Sequence, residues 1–109
     1  MTTKNLDALL PHAALTQRIV HMEGRPFTLR QMAALHGIYL YDDVPTCGDV
    51  ALHLGVTRGE LAHTLYSLLA AGLARREPHP DTRRKVCLVR TAAGWDFMAR
   101  LAQMAEMRA

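Results

Sequence analysis

Cysteine is scarce in this chain. The two present, Cys47 and Cys87, lie far apart in sequence. Two isolated cysteines do not make a disulfide scaffold, and they imply a reduced, cytoplasmic protein. Metal-ligand spacings are missing as well. The six histidines (His12, His21, His36, His53, His63 and His79) form no HxxxH pair and the cysteines no CxxC, so no metal site is expected. Long apolar runs are also lacking. The longest, Met32 to Leu35, Ile38 to Tyr41 and Leu68 to Ala71, are far too short to span a bilayer. The first residues hold one lysine and no long apolar block, so no signal peptide is expected. No glycine-rich phosphate loop, nucleophile elbow or catalytic triad can be placed, so neither enzyme chemistry nor a cofactor is expected. Internal repeats and low-complexity tracts do not occur.

What is present is ordinary globular material. The 109 residues fit one domain, half of them are apolar, and 21% are charged. The net charge of +3 is unevenly placed. Residues 1–56 carry four basic and five acidic side chains, and residues 92–109 carry two of each. Residues 57–91 carry seven basic side chains (Arg58, Arg75, Arg76, Arg83, Arg84, Lys85, Arg90) against three acidic ones (Glu60, Glu77, Asp81). All the excess positive charge therefore falls in one stretch. Such a footprint suits a polyanion, and equally a solvated basic hairpin that binds nothing.

Threonines mark the starts of elements. Thr28 with Gln31 and Thr57 with Glu60 have the capping-box form, in which each side chain satisfies a backbone N–H of the other. Phe27 and Met32 hold the positions of a hydrophobic staple. A helix over 28–40 follows, with Leu29, Met32, Ala33, Leu35, Ile38 and Tyr39 as its apolar stripe. Asp42, Asp43 and Pro45 form a loop. Thr46, with Asp49 three residues on, caps a short helix that Gly55 ends. The next helix, 57–71, carries Leu61, Leu65, Leu68 and Leu69, and Gly72 closes it. The period then changes to two. Strands are predicted over Leu73–Glu77 and Lys85–Thr91, with Val86 and Leu88 alternating against Cys87 and Val89. Pro78, Pro80 and Asp81 belong to the turn between them. Helices over 7–22, regular from about Pro11, and 92–107 complete the chain. The last is expected to carry Trp95, Met98, Leu101, Ala102 and Ala105 on one side.

Two helices joined by Leu54-Gly55-Val56-Thr57 form a helix-turn-helix over about 46–71, and a basic hairpin over 73–91 makes it winged. The fold class is mainly α with a small β-hairpin, α+β. At this point Thr28 to Gly94 resembles the core of MarR-family transcriptional regulators. Asp49-Val50-Ala51-Leu52-His53-Leu54-Gly55-Val56-Thr57 resembles the family's "DLA..LGVS" helix and turn. The stretch Leu65 to Arg76 resembles "L...LE..GLV.R", and Pro80 to Gly94 resembles the wing pattern "D.DRR...V.LT..G". Departures from the pattern are specific. Thr82 stands where the family usually has the Asp nearest the arginines. Arg90 replaces the usual Leu. Ala62 and His63 replace the favoured Ser and Arg.

The resemblance implies a sequence-specific double-stranded DNA-binding regulator, a repressor acting as a homodimer. The 57–71 helix would enter the major groove and the wing would lie on phosphate or in the minor groove. The DNA-contacting residues implied are Thr57, Arg58, His63, Tyr66 and Ser67 on the helix, and Arg75, Arg76, Arg83, Arg84 and Lys85 on the wing. Strand alternation lets only one of Arg75 and Arg76 face DNA. Leu6, Leu9, Leu10, Ile19 and Val20, together with Trp95, Met98, Leu101, Met104 and Met107, are the apolar residues of the terminal helices that would pair across a two-fold axis. They equally suit a monomer core. Cys47, at a helix start, is the candidate redox thiol because such thiols have lowered pKa values, against the plainer reading of a half-buried filler. The competing readings are a winged helix used for protein–protein contact or assembly, and a replication or phage-type DNA-binding winged helix. No effector is indicated.

Overall fold

The computed structural model describes residues 6–22 and 27–106. A short 3₁₀ turn, Leu6–Leu9, leads into α1 (Leu10–Val20). Then come α2 (Leu29–Tyr39), α3 (Cys47–Leu54), α4 (Arg58–Ala70), β1 (Ala74–Pro78), β2 (Val86–Arg90) and α5 (Ala92–Glu106). The chain divides into two compact units, Phe27–Phe97 and a second made of Met1–Pro26 with Met98–Ala109. Among the described residues no helix is long and apolar enough to cross a membrane. Among the same residues no group of three or more His, Cys, Asp or Glu side chains is placed to hold a metal.

In the unit Phe27–Phe97 every expected cap forms. Thr28, Thr46 and Thr57 each accept a hydrogen bond from the backbone N–H three residues on. Gln31, Asp49 and Glu60 each accept one in return from the cap's own N–H. Gly55 and Gly72 adopt φ values of 70° and 75°, the left-handed conformation that ends α3 and turns the chain after α4. The core is built from Leu35, Ile38, Val50, Leu61, Leu65, Leu68 and Leu88. Leu29 is not part of it. It is 87% exposed, on the side of α2 turned away from the buried Ile38, and Ala34 rather than Ala33 is the buried alanine of that helix.

The hairpin is antiparallel, with Ala74 opposite Arg90 and Pro78 opposite Val86. The expected alternation in β2 fails. Cys87 and Leu88 are both buried and Val86 is exposed. The reason is a partial third strand. Thr46 bridges Cys87, and the Leu88 N–H donates to the Pro45 carbonyl at 2.9 Å, so the Pro45–Thr46 segment covers this part of β2.

A hydrogen-bonded knot joins α2, the start of the wing and the start of α5. The Tyr39 hydroxyl donates to the Leu73 carbonyl at 2.6 Å and accepts from the Thr91 N–H at 3.1 Å. The Thr91 hydroxyl donates to the Gly72 carbonyl at 2.5 Å and accepts from the Gly94 N–H at 2.9 Å, capping α5. Arg90 has a structural part. Its Nε donates to the Ile38 carbonyl at 2.8 Å and its Nη2 to the Tyr41 carbonyl, at the end of α2 where carbonyls lack helical partners. The guanidinium also lies over the rings of Tyr39 and Trp95, 5.8 and 5.3 Å from their centroids. Replacing it with alanine removes charged hydrogen bonds worth about 1–3 kcal/mol in total. A thermal melt of Arg90→Ala should show a fall of roughly 4–20 °C; an unchanged melt would deny Arg90 this role.

The phase of α5 differs from expectation. Gly94, Phe97 and Leu101 are buried, with Met98 and Met104 half-buried, while Ala102 and Ala105 are exposed. Trp95 is 50% exposed and meets Tyr39 edge-on, with ring centroids 5.0 Å apart. The buried stripe thus steps through residues 94, 97, 101 and 104, a helical spacing turned about one residue from the expected one. Phe97 takes the place assigned to Trp95 and meets Phe27 edge-on at 5.1 Å. Met107 lies outside the described residues.

In the other unit, Pro11 sits in the first turn of α1, where its missing N–H costs nothing, and the Arg18 guanidinium donates to the Met104 carbonyl at 2.8 Å. No residue of α1 is buried, and Leu6, Leu9, Leu10 and Val20 are all well exposed.

Candidate nucleic-acid interface

Helix α4 presents two chemically distinct faces. Leu61, Thr64, Leu65 and Leu68 are buried. Arg58, Gly59, Ala62, His63 and Tyr66 are exposed, and Ser67 is half-buried. Thr64 is the buried polar member, and its hydroxyl donates to the Glu60 carbonyl one turn back, at 2.9 Å. Thr57 caps the helix with its Oγ1 accepting from the Glu60 N–H at 3.1 Å, and its hydroxyl also bonds the Glu60 carboxylate.

An open cleft of about 520 Å³ lies between the starts of α3 and α4 and the wing. Four cations line it: Arg58 from α4, Arg76 from β1, and Arg84 and Lys85 from the hairpin. They come from three places in sequence, and only the fold brings them together. Arg58 reaches back over α3. A Cβ added at Gly48 would stand 3.2 Å from its Nη2, so glycine there leaves the guanidinium its room.

The wing residues do not all share this cleft. Arg75 points elsewhere and pairs with Glu77 through Nη2 at 2.7 Å and Nε at 3.1 Å. Residues two apart on a strand share a face, so Arg76 is the one turned to the cleft. Arg83 is exposed at the hairpin tip and lines neither the cleft nor the groove described next.

His63, Tyr66 and Ser67 line a second concavity, a groove of about 460 Å³ against the first turn of α2. Across it stand Thr28, Arg30 and Gln31, none of which the sequence motifs single out as site residues. Arg30 belongs to a helix outside the helix-turn-helix, so no local pattern marks it.

Two carboxylates lie among these cations, and both are engaged. The Thr57 N–H bonded to Glu60 holds its carboxyl below the usual glutamate range, and the Thr46 N–H likewise holds Asp49 below the usual aspartate range. Cys47 behaves contrary to expectation. Burial pushes its thiol up from the ordinary cysteine value, and the lowering by nearby Arg76 and Arg58 does not overcome this. Desolvation of the thiolate at this half-buried position outweighs the attraction, so the lowered pKa expected of a helix-start redox thiol is not present. Cys87 is buried.

No protein-family model matches the sequence, and no curated protein matches it. Solved structures do. A crystal structure of MarR is 25% identical, with a TM-score of 0.69 over 93% of this chain and 72% of that one. MepR, a transcription regulator of the Staphylococcus aureus multidrug efflux pump MepA, is 20% identical, with a TM-score of 0.77 over 97% of this chain and 78% of that one. A structure of S. aureus MepR in complex with DNA is 17% identical, with a TM-score of 0.69 over 90% of this chain and 75% of that one. The chain has the MarR-type winged-helix fold, five helices with a two-stranded antiparallel wing among the described residues. The resemblance read from residues 28–94 is matched by this fold.

Proposed function

We propose that the protein is a sequence-specific, double-stranded DNA-binding transcriptional regulator of the cytoplasm, a repressor that acts as a homodimer. The observation that carries this reading is the convergence of Arg58, Arg76, Arg84 and Lys85 on one open cleft beside the exposed face of α4. Cations gathered from separate elements around a concave surface are what a phosphate backbone needs. Beside them, His63, Tyr66 and Ser67 offer hydrogen-bonding groups to base edges or backbone, and Ala62 permits close approach. In this reading α4 lies in the major groove, Arg84 and Lys85 hold phosphates, and Arg83 reaches the minor groove from the hairpin tip. That a neighbour in fold is known as a DNA complex supports it. Two-fold pairing is supported by the apolar residues left exposed on the N-terminal helix. A dimer sitting on a promoter blocks access to it, which is the simplest route to repression.

The test is selection from a random duplex library, followed by binding to the enriched site across salt concentrations. The expected result is a palindromic site with half-sites about one helical turn apart. Affinity should fall steeply with salt, as counterion release requires. No retention of any duplex contradicts the reading and favours a protein-interaction module. A monomer by light scattering at micromolar concentration removes the two-fold arrangement alone.

A further inference from the structure

We propose that the groove between the first turn of α2 and the exposed face of α4 holds a backbone phosphate of the duplex, with Arg30 as its cation. This inference rests on the DNA-binding reading above and extends the contact surface beyond the helix-turn-helix and wing. The groove measures about 460 Å³, and its lining contains no carboxylate. On one wall is Arg30, the only residue of the lining with a permanent positive charge. On the other is Ser67, whose hydroxyl is an ordinary phosphate donor, beside His63 and Tyr66. Tyr66 is 76% exposed, so its hydroxyl is open to a ligand.

Arg30 has one acidic neighbour. Glu60 Oε2 lies 3.9 Å from its Nη1, and both side chains are about half exposed. A contact this long and this solvated contributes little to stability, so it leaves Arg30 able to move to another anion. Glu60 is less free. Its other oxygen, Oε1, accepts the Thr57 N–H at 2.9 Å and is held at the start of α4. A fixed carboxylate there repels any phosphate that approaches. Arg30 lines the groove and is the cation beside that charge. It offsets the carboxylate and presents a planar guanidinium suited to phosphate oxygens.

The experiment measures binding of wild type, Arg30→Ala, Glu60→Gln and the double variant to the selected site and to random duplex, across salt. Glutamine keeps the capping box, so Glu60→Gln removes charge without removing the cap. Arg30→Ala should weaken binding roughly three- to tenfold on both duplexes and reduce the slope of log affinity against log salt by about 0.9. The same weakening should persist in the Glu60→Gln background. Unchanged affinity and slope overturn the proposal. So does a weakening that vanishes in the Glu60→Gln background, which would make Arg30 a neutraliser of Glu60 and nothing more. The triple variant Arg83→Ala, Arg84→Ala, Lys85→Ala is measured alongside. If it binds more weakly while Arg30→Ala does not, the DNA-binding reading stands and this proposal alone fails. If wild type binds no duplex, both fail.

Discussion

Gly94→Ala is expected to cost about 3 kcal/mol or more, a large fraction of the stability of an ordinary domain. Helix propensity argues the other way, since alanine is favoured over glycine in a helix by about 1 kcal/mol. Sterics decide the matter. A Cβ on Gly94 would lie 1.6 Å from the Tyr39 hydroxyl oxygen, 2.6 Å from Tyr39 Cζ and 2.3 Å from the Leu73 carbonyl oxygen. Tyr39 is 5% exposed and is held by the Leu73 carbonyl, the Thr91 N–H and the Trp95 ring. If it moves, the Leu73 carbonyl and the Thr91 N–H are left without their partner. Each buried group left unpaired costs about 1–3 kcal/mol. Adding Tyr39→Phe removes the nearest clashing atom but not the ring carbon, so the double variant should melt between Gly94→Ala and wild type. A Gly94→Ala melt equal to wild type would contradict this packing.

The largest effect on binding is expected from replacing Arg83, Arg84 and Lys85 together with alanine. All three are exposed, so the melt should stay close to wild type. If each holds a phosphate, affinity for every duplex should fall, roughly ten- to a thousandfold at moderate salt. The salt slope should shrink by about 0.9 for each phosphate no longer neutralised. Placement divides the roles further. Arg84 and Lys85 line the cleft with Arg58 and Arg76, whereas Arg83 stands at the tip. Lys85→Ala should therefore act alike on all sequences. Arg83→Ala should act most on sites with a narrow flanking minor groove. Arg75→Ala serves as the control. Its guanidinium is paired with Glu77 outside the cleft, and its removal should change affinity by less than about twofold. Unchanged affinity and slope in the triple variant would take the wing out of the interface.

Local chemistry explains which parts of this fold are legible in the sequence. A capping box is complete within four residues, so Thr28, Thr46 and Thr57 announce three helices without help from the rest of the chain. The two glycines with positive φ mark turns for the same reason. The exposed face of α4 follows from its leucine spacing, although the buried Thr64 does not, because a threonine bonded back to its own helix looks polar in sequence. What depends on distant partners is not legible. Arg90 reads as an unwanted charge at a leucine position until the open carbonyls at the end of α2 are seen, some fifty residues away. The phase of α5 turns on which of two aromatics a neighbouring element covers, and it covers Phe97. The cleft is the same kind of case. A charge count finds the basic stretch, but alternation alone cannot choose between Arg75 and Arg76. Arg30 lies outside that stretch altogether.

The most direct test of the DNA-reading role of α4 is one variant measured two ways. His63 and Tyr66 are exposed and Ser67 is half-buried on the side of α4 away from Leu61, Leu65 and Leu68, while Arg58 is exposed in the first turn and faces the cleft. Changing all four to alanine should leave the thermal melt nearly unchanged, since exposed substitutions usually cost less than about 0.5 kcal/mol each. Base contacts discriminate by about 1–3 kcal/mol each, so preference for the selected site over random duplex should disappear. Weak binding to all duplexes should remain through the wing. A variant that folds as wild type and keeps its full preference for the selected site would contradict the account, because α4 would then not be the element that reads DNA.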